Sequence, residues 1–195
     1  MSAAARRLLT PAEYLEIERQ AETKSEFFAG EMFAIARCKY PHNRIKDNLA
    51  TELNLQLRGG PCFALTSDMR VKVQTSDLYT YPDIVIICEQ PQFEDDHTDT
   101  LLNPRVLVEV LSEATEGYDR GAKFAYYQKI PTLQEFVLVA QDRLLLERYV
   151  RQADGSWNYT AFGEPSQLFE FTSVPVRVSL SDIYRGVPLP VHPPR

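Results

Sequence analysis

Tyr81-Pro82-Asp83-Ile84-Val85-Ile86-Ile87-Cys88 and Arg105-Val106-Leu107-Val108-Glu109-Val110-Leu111, with Tyr118-Asp119-Arg120-Gly121-Ala122-Lys123-Phe124-Ala125-Tyr126-Tyr127 after them, carry the decisive pattern of this chain. The first two segments are near-continuous runs of β-branched and aliphatic residues, as expected of strands covered on both faces. The third reads as helix. Each strand holds one carboxylate, Asp83 near the start of the first and Glu109 in the middle of the second. Side chains alternate along a strand with period two, so Glu109 faces the same way as Leu107 and Leu111. A carboxylate buried alone is costly and must be neutralised, paired or bound to a metal. A valine at position 109 would carry no such cost, so the acid points to function.

Working outward, Thr10-Pro11-Ala12-Glu13 opens a helix with a threonine cap, proline at the first helical position and glutamate three residues after the cap. That helix is expected to run to about Glu22. Residues 25–28 and 32–35 flank Ala29-Gly30 as a hairpin, with Glu31 just past its turn. Pro41-His42-Asn43 begins a second helix, in which Ile45, Leu49, Leu53 and Leu57 form a buried stripe ended by Gly59-Gly60. Residues 62–65 and 69–73 read as strands, the second with Arg70 and Lys72 on its polar face. The connection 90–104 is long and carries Glu94, Asp95, Asp96, His97 and Asp99; without compact ligand spacing it reads as a solvated loop or dimer contact.

Beyond the central stretch, residues 135–140 read as a strand, and 144–151 with 157–162 as a hairpin around Asp154-Gly155. Residues 174–178 suggest a last strand and 181–184 a short helix. The proline-rich segment 188–195 reads as a loose tail. The fold class expected is α+β: one domain over residues 1–187, a mixed sheet with helices packed on it and extra hairpins at both ends.

A chain of 195 residues, 44% hydrophobic and 25% charged, has the composition of an ordinary soluble globular protein. Its formal net charge of -6 argues against a general nucleic-acid coat protein, yet allows an acidic, metal-binding centre within a local basic rim. Arg37, Lys39, Arg44, Lys46, Arg70 and Lys72 are candidates for that rim, or are ordinary solvated charges. Cys38, Cys62 and Cys88 show no CxxC spacing and leave one unpaired in any disulfide scheme, so all three are expected as reduced residues of a cytoplasmic protein. The N-terminal Arg6-Arg7 precedes no sustained apolar segment, so neither a signal peptide nor a membrane span is expected.

Two carboxylates on neighbouring strands, close to a lysine on the next helix, fit a hydrolytic magnesium site. Mg2+, with Mn2+ as the alternative, takes oxygen ligands and commonly only one or two protein carboxylates. Asp83 and Glu109 supply those, with the main-chain carbonyl of Val110 as a further oxygen. Lys123 would orient the attacking water or offset charge on the phosphorus.

Phe27-Phe28-Ala29-Gly30-Glu31, Pro41-His42-Asn43, Ser67-Asp68-Met69-Arg70-Val71, Tyr81-Pro82-Asp83, Asp99-Thr100-Leu101-Leu102-Asn103-Pro104, Val108-Glu109-Val110-Leu111-Ser112 and Tyr118 to Phe124 follow one another in that order. Together they resemble the Uma-type endonuclease family, over roughly residues 9–149. That family belongs to the restriction-endonuclease-like superfamily, whose pattern is PD followed by (D/E)xK. The resemblance implies a DNA-hydrolysing nuclease, commonly a homodimer. It makes Asp83 the PD aspartate, Glu109 the acid of the second half-motif and Glu31 an extra catalytic acid. The superfamily lysine normally sits where this chain has Leu111, so Lys123 becomes the candidate for its role. His42, Arg70 and Tyr118 are expected on the substrate side.

Two other readings stand beside this one. Asp83, Glu109 and Lys123 would also make a buried ion network that specifies packing. The chain would then be a catalytically inactive module of the same fold, serving nucleic-acid or protein interaction. Tyr126 and Tyr127 fit packing on the sheet better than stacking on bases.

Overall fold

The structure, a computed structural model, describes residues 7–189; the last six residues of the expected tail lie outside them. In chain order the elements are α1 (Pro11–Glu18), β1 (Ser25–Phe28), β2 (Glu31–Ala34), α2 (Tyr40–Leu57), β3 (Phe63–Thr66), β4 (Arg70–Val73), β5 (Leu78–Thr80), β6 (Ile84–Ile87), β7 (Thr100–Leu101) and β8 (Val106–Leu111). Next come α3 (Glu116–Tyr118), a π-helical turn (Asp119–Lys123) and α4 (Phe124–Tyr127), which together form the helical segment expected before Gln128. The chain continues through β9 (Glu135–Ala140), β10 (Leu146–Arg151), β11 (Trp157–Phe162), β12 (Leu168–Glu170), β13 (Arg177–Ser179) and α5 (Leu180–Ile183).

The apolar runs form the middle of a six-stranded sheet ordered β11-β10-β9-β8-β6-β3. β8 runs antiparallel to β6 and parallel to β9, so the sheet is mixed. Period-two alternation divides the residues of β6 and β8 between two cores. Ile84, Ile86, Val106, Val108 and Val110 meet the Ile45, Leu49 and Leu53 stripe of α2. Val85, Ile87, Leu107 and Leu111 meet Phe124 and Tyr127 of α4, together with Val71 and Leu78 from a second sheet. Both strands are thus buried on both faces, and the fold class is α+β, as the apolar runs imply. Truncating a stripe residue such as Leu49→Ala costs about 2–5 kcal/mol through lost burial and the cavity left behind.

The second sheet, ordered β2-β1-β5-β4-β7, carries the N-terminal hairpin onto the far side of the α4 face. Its β5 and β7 were not separable from their surroundings by periodicity, because they are only three and two residues long. Four expectations change. α1 ends at Glu18 rather than near Glu22, since the Glu18 carboxylate accepts from Ser25 N and Tyr81 OH and the chain turns there to enter β1. Arg70 is 3% exposed, not on a polar face, because β7 pairs beside it and supplies Thr100, while Asp99 lies next along that segment. The acidic connection is tied down rather than solvated. Asp95 and Asp99 both bind Arg19, and Glu94 binds Lys72 and Tyr79. Cys62 and Cys88 are not reduced. The register Phe63↔Ile87 sets them directly opposite one another, with Cα atoms 3.8 Å apart, and they form a disulfide that leaves Cys38 free.

Candidate active site

The site begins where a ladder stops. β6 and β8 pair as far as Ile84↔Val108. Continued by two residues, this register would set Val110 against Pro82, which has no N–H to donate. The strands part there, and the Asp83 side chain takes over: Val110 N–H donates to Asp83 Oδ2 at 2.8 Å. Proline before aspartate therefore ends the pairing, and the aspartate satisfies the amide so released. In an antiparallel ladder a residue's N–H and C=O face the same neighbour, so the Val110 carbonyl leaves β8 on the Asp83 side as well.

α2 brings a histidine to the same carboxylate. His42, in the first turn of that helix, places Nε2 3.1 Å from Asp83 Oδ2, with its side chain 8% exposed. Cys38 Sγ lies 3.7 Å from the same nitrogen.

Glu109, which shares the α4 side of β8 with Leu107 and Leu111, is buried and its Oε1 takes two partners. Tyr127 OH donates at 2.8 Å and Lys123 Nζ lies at 3.0 Å. Lys123 Nζ also stands 3.1 Å from Glu26 Oε1 and 3.4 Å from Asp119 Oδ1. Thr80 Oγ1 donates to Glu26 and shares a hydrogen bond of 3.2 Å with Tyr127 OH. Asp119, Lys123 and Tyr127 recur every four residues along the segment that contains the π-helical turn. Such turns are rare, and many lie at functional sites.

One lysine thus faces Glu26, Glu109 and Asp119, with Asp83 close enough to act on Glu109. Burial pushes the Glu109 carboxyl up to about 8; Lys123 opposes the shift, while Asp119, Asp83 and Glu26 add to it. Burial also raises Asp119. Burial pulls Lys123 down, but Glu109, Tyr127, Glu26 and Asp119 outweigh it and hold the ammonium well above its ordinary value. The cluster has more acid than base, the condition that draws in a further cation. Among the described residues, no three His, Cys, Asp or Glu side chains cage an ion by themselves. Two carboxylates and one carbonyl, completed by water, nevertheless suit magnesium, which seldom has an all-protein cage. The residues fit.

The structure therefore brings together Asp83, Glu109, Val110, Lys123 and His42. Tyr118 is 39% exposed, with its ring 5.9 Å from Lys123 Nζ, on the open side of the cluster. Glu31 pairs with Phe28 across the hairpin, on the face that also carries Glu26; the acid that reaches Lys123 is Glu26. Arg70 is buried, and its guanidinium is committed to Thr100, Tyr81 and Asp99. Sequence reasoning missed Glu26, Asp119, Tyr127 and Thr80. One signal was available, the four-residue spacing of Asp119 and Tyr127 about Lys123; Glu26 lies in a strand of only four residues, too short to show alternation.

The profile of the Uma2 family, described as "putative restriction endonuclease", matches residues 11–181. Two proteins of Synechocystis sp. strain PCC 6803, both described only as uncharacterized, are similar along most of their length. One is 38% identical over 176 residues, covering 89% of this chain and 99% of that protein. The other is 34% identical over 182 residues, covering 92% and 93%. A crystal structure from Anabaena variabilis, described as "a putative nuclease belonging to DUF820", superposes with a TM-score of 0.74 over 90% of this chain and 97% of that one, at 19% identity. That likeness establishes the fold. The family profile spans every element that supplies Asp83, Glu109 and Lys123, and the chain belongs to the Uma2 family, with a restriction-endonuclease-like fold.

Proposed function

We propose that this chain is a magnesium-dependent endonuclease that hydrolyses phosphodiester bonds in DNA. Family membership and fold support a nuclease-type function. The observation that carries the finer reading is the excess of acid where β6 and β8 diverge, with a single protonated lysine inside it. Asp83, Glu109 and the Val110 carbonyl would hold Mg2+, or Mn2+ in its place. When bound, the ion supplies a water of lowered pKa and offsets charge on the phosphate.

The chain's own residues do the rest. Val110 N–H and His42 fix Asp83 through Oδ2, so Oδ1 is the oxygen left for the ion. Tyr127 fixes Glu109 through Oε1 in the same way. Lys123 keeps its proton because acids surround it, and it can hold the attacking water or meet the developing charge on phosphorus. Glu26 restrains the ammonium, and Glu31 stands as an outer acid on the same hairpin face. Tyr118 borders the cluster on the substrate side. A homodimer belongs to this reading, and sedimentation of the purified protein checks it.

Calorimetry with Mn2+ tests the assignment directly. Wild type should bind with a dissociation constant in the millimolar range or tighter, and the Asp83→Ala, Glu109→Ala double variant should lose binding while still folding cooperatively. Cleavage of labelled DNA should need the metal and vanish in the same variant. Folded wild type that binds no metal, with variants that are merely destabilised, rejects the assignment.

One observation favours a second reading, an inactive interaction module. Lys123 is buried and saturated by three carboxylates, as in a structural network, and Leu111 stands where the superfamily lysine is expected. On that reading Lys123→Met would destabilise the fold, and no metal would bind.

A further inference from the structure

From Met32 to Lys46 the sequence reads MFAIARCKYPHNRIK: four Lys or Arg and no Asp or Glu, in a chain whose formal net charge is -6. Residues 33–40 of this stretch are exposed along their whole length, as they leave edge strand β2 and enter α2. Phe33 is 50% exposed and Tyr40 63%. The stretch ends at the candidate active site. Cys38 Sγ is 3.7 Å from His42 Nε2, and that nitrogen is 3.1 Å from Asp83.

A concavity of about 400 Å³ adjoins this arm, lined by Lys39 and Pro41 from the arm and by Leu111, Ser112, Gln141 and Asp142 from the ends of β8 and β9. Glu113 and Glu116 also border it, so a phosphate is unwelcome inside. A single planar base, with polar edges that Ser112 and Gln141 can meet, suits it better. The arm has the opposite chemistry: cations for a phosphate backbone, interleaved with exposed aromatic rings. Base stacking on such rings requires bases whose faces are free. A duplex keeps those faces stacked on each other.

We propose that the arm of residues 33–40 and the adjoining concavity bind an unpaired DNA strand. Arg37 and Lys39 lie along its phosphates, Phe33 and Tyr40 stack on its bases, and one base enters the concavity beside the reacting phosphate. This gives the nuclease a single-stranded, or locally unpaired, substrate. It rests on the nuclease assignment above and adds strand state to it.

Fluorescence anisotropy in EDTA tests the proposal without turnover, using a labelled mixed-sequence oligonucleotide alone and annealed to its complement. Wild type should bind the single strand at least about tenfold more tightly than the duplex. Arg37→Ala with Lys39→Ala should weaken that binding and reduce the log–log salt slope by about 1.4, roughly 0.7 for each cation removed. Tyr40→Ala should cost roughly tenfold for the single strand and leave the duplex unaffected. All three side chains are exposed, so these variants should fold as wild type does. Equal or tighter binding of the duplex overturns the proposal, as do variants that bind the single strand like wild type. Cleavage with added Mn2+ is scored separately. Strand binding without cleavage sinks the nuclease assignment and leaves this surface standing; cleavage of a preferred duplex does the reverse.

Discussion

Two ionic clusters hold the N-terminal hairpin region to the rest of the molecule, and they are built on opposite principles. Around Arg19 and Arg70, cations and acids are matched. Arg19 binds Asp95 and Asp99 and Arg70 binds Asp99, two cations to two aspartates, while the adjoining Glu18 is met by the neutral donors Ser25 N–H and Tyr81 OH. Hydrogen bonds from Arg19 hold Asp95 below its ordinary value and Asp99 far below it. Around Lys123 the balance fails, and burial drives Glu109 and Asp119 upward. A matched cluster lowers its acids and needs nothing more. In the second, burial outweighs the one ammonium and raises them, an arrangement in which further positive charge would be welcome.

The comparison breaks first, if it breaks at all, on activity. Lys123→Met should lower the cleavage rate by about 10²–10³-fold and Glu109→Gln should abolish metal binding, with cleavage per folded molecule as the measure. Asp99→Ala should instead cost about 3 kcal/mol in a denaturant titration, the low end for exposing a buried partner because Asp99 is itself one-third exposed. Its cleavage rate per folded molecule should stay at the wild-type level. If Asp99→Ala kills activity at unchanged stability, the two clusters have been assigned the wrong way round.

The two clusters also differ in the sign of their pH dependence. The folded-state pKa of Asp99 lies below its unfolded value of about 3.9, so its contribution is present above that pH and is lost as acid is added. Glu109 behaves in the opposite sense. Its pKa rises to about 8 on folding, so the native state binds the extra proton and stability falls as pH climbs from about 4.3 toward 8. Denaturation midpoints across pH should show Asp99→Asn flattening the acid limb and Glu109→Gln flattening the neutral one. The smallest expected effect lies in the hairpin: Glu26→Gln should slow cleavage measurably, because Glu26 stands 3.1 Å from the Lys123 ammonium and restrains it.

Much of this was legible in the sequence, for physical reasons. Glu109 and Asp83 announced themselves because a charge in an apolar strand is expensive, whereas the end of the ladder at Pro82 shows only in the register. The α2 stripe was visible because helical spacing repeats over four turns. Glu26 was hidden because its strand is only four residues long, too short for its alternation to stand out. Arg70 was misassigned because nothing local shows that β7, thirty residues later, lies against it. The Cys62–Cys88 pair depended on a cross-strand register that spacing alone does not set.

That pair has a consequence for how the chain comes apart. Cys62 and Cys88 close a covalent ring of backbone that contains β4, β5 and Asp83, and the turn 74–77, exposed at Gln74, Thr75 and Asp77, lies within it. A protease that cuts that turn therefore separates nothing. The nicked protein should run as one band on a denaturing gel until a thiol reductant is added, then as two. A cut in the connection after Glu89, outside the ring, should release two fragments with or without reductant.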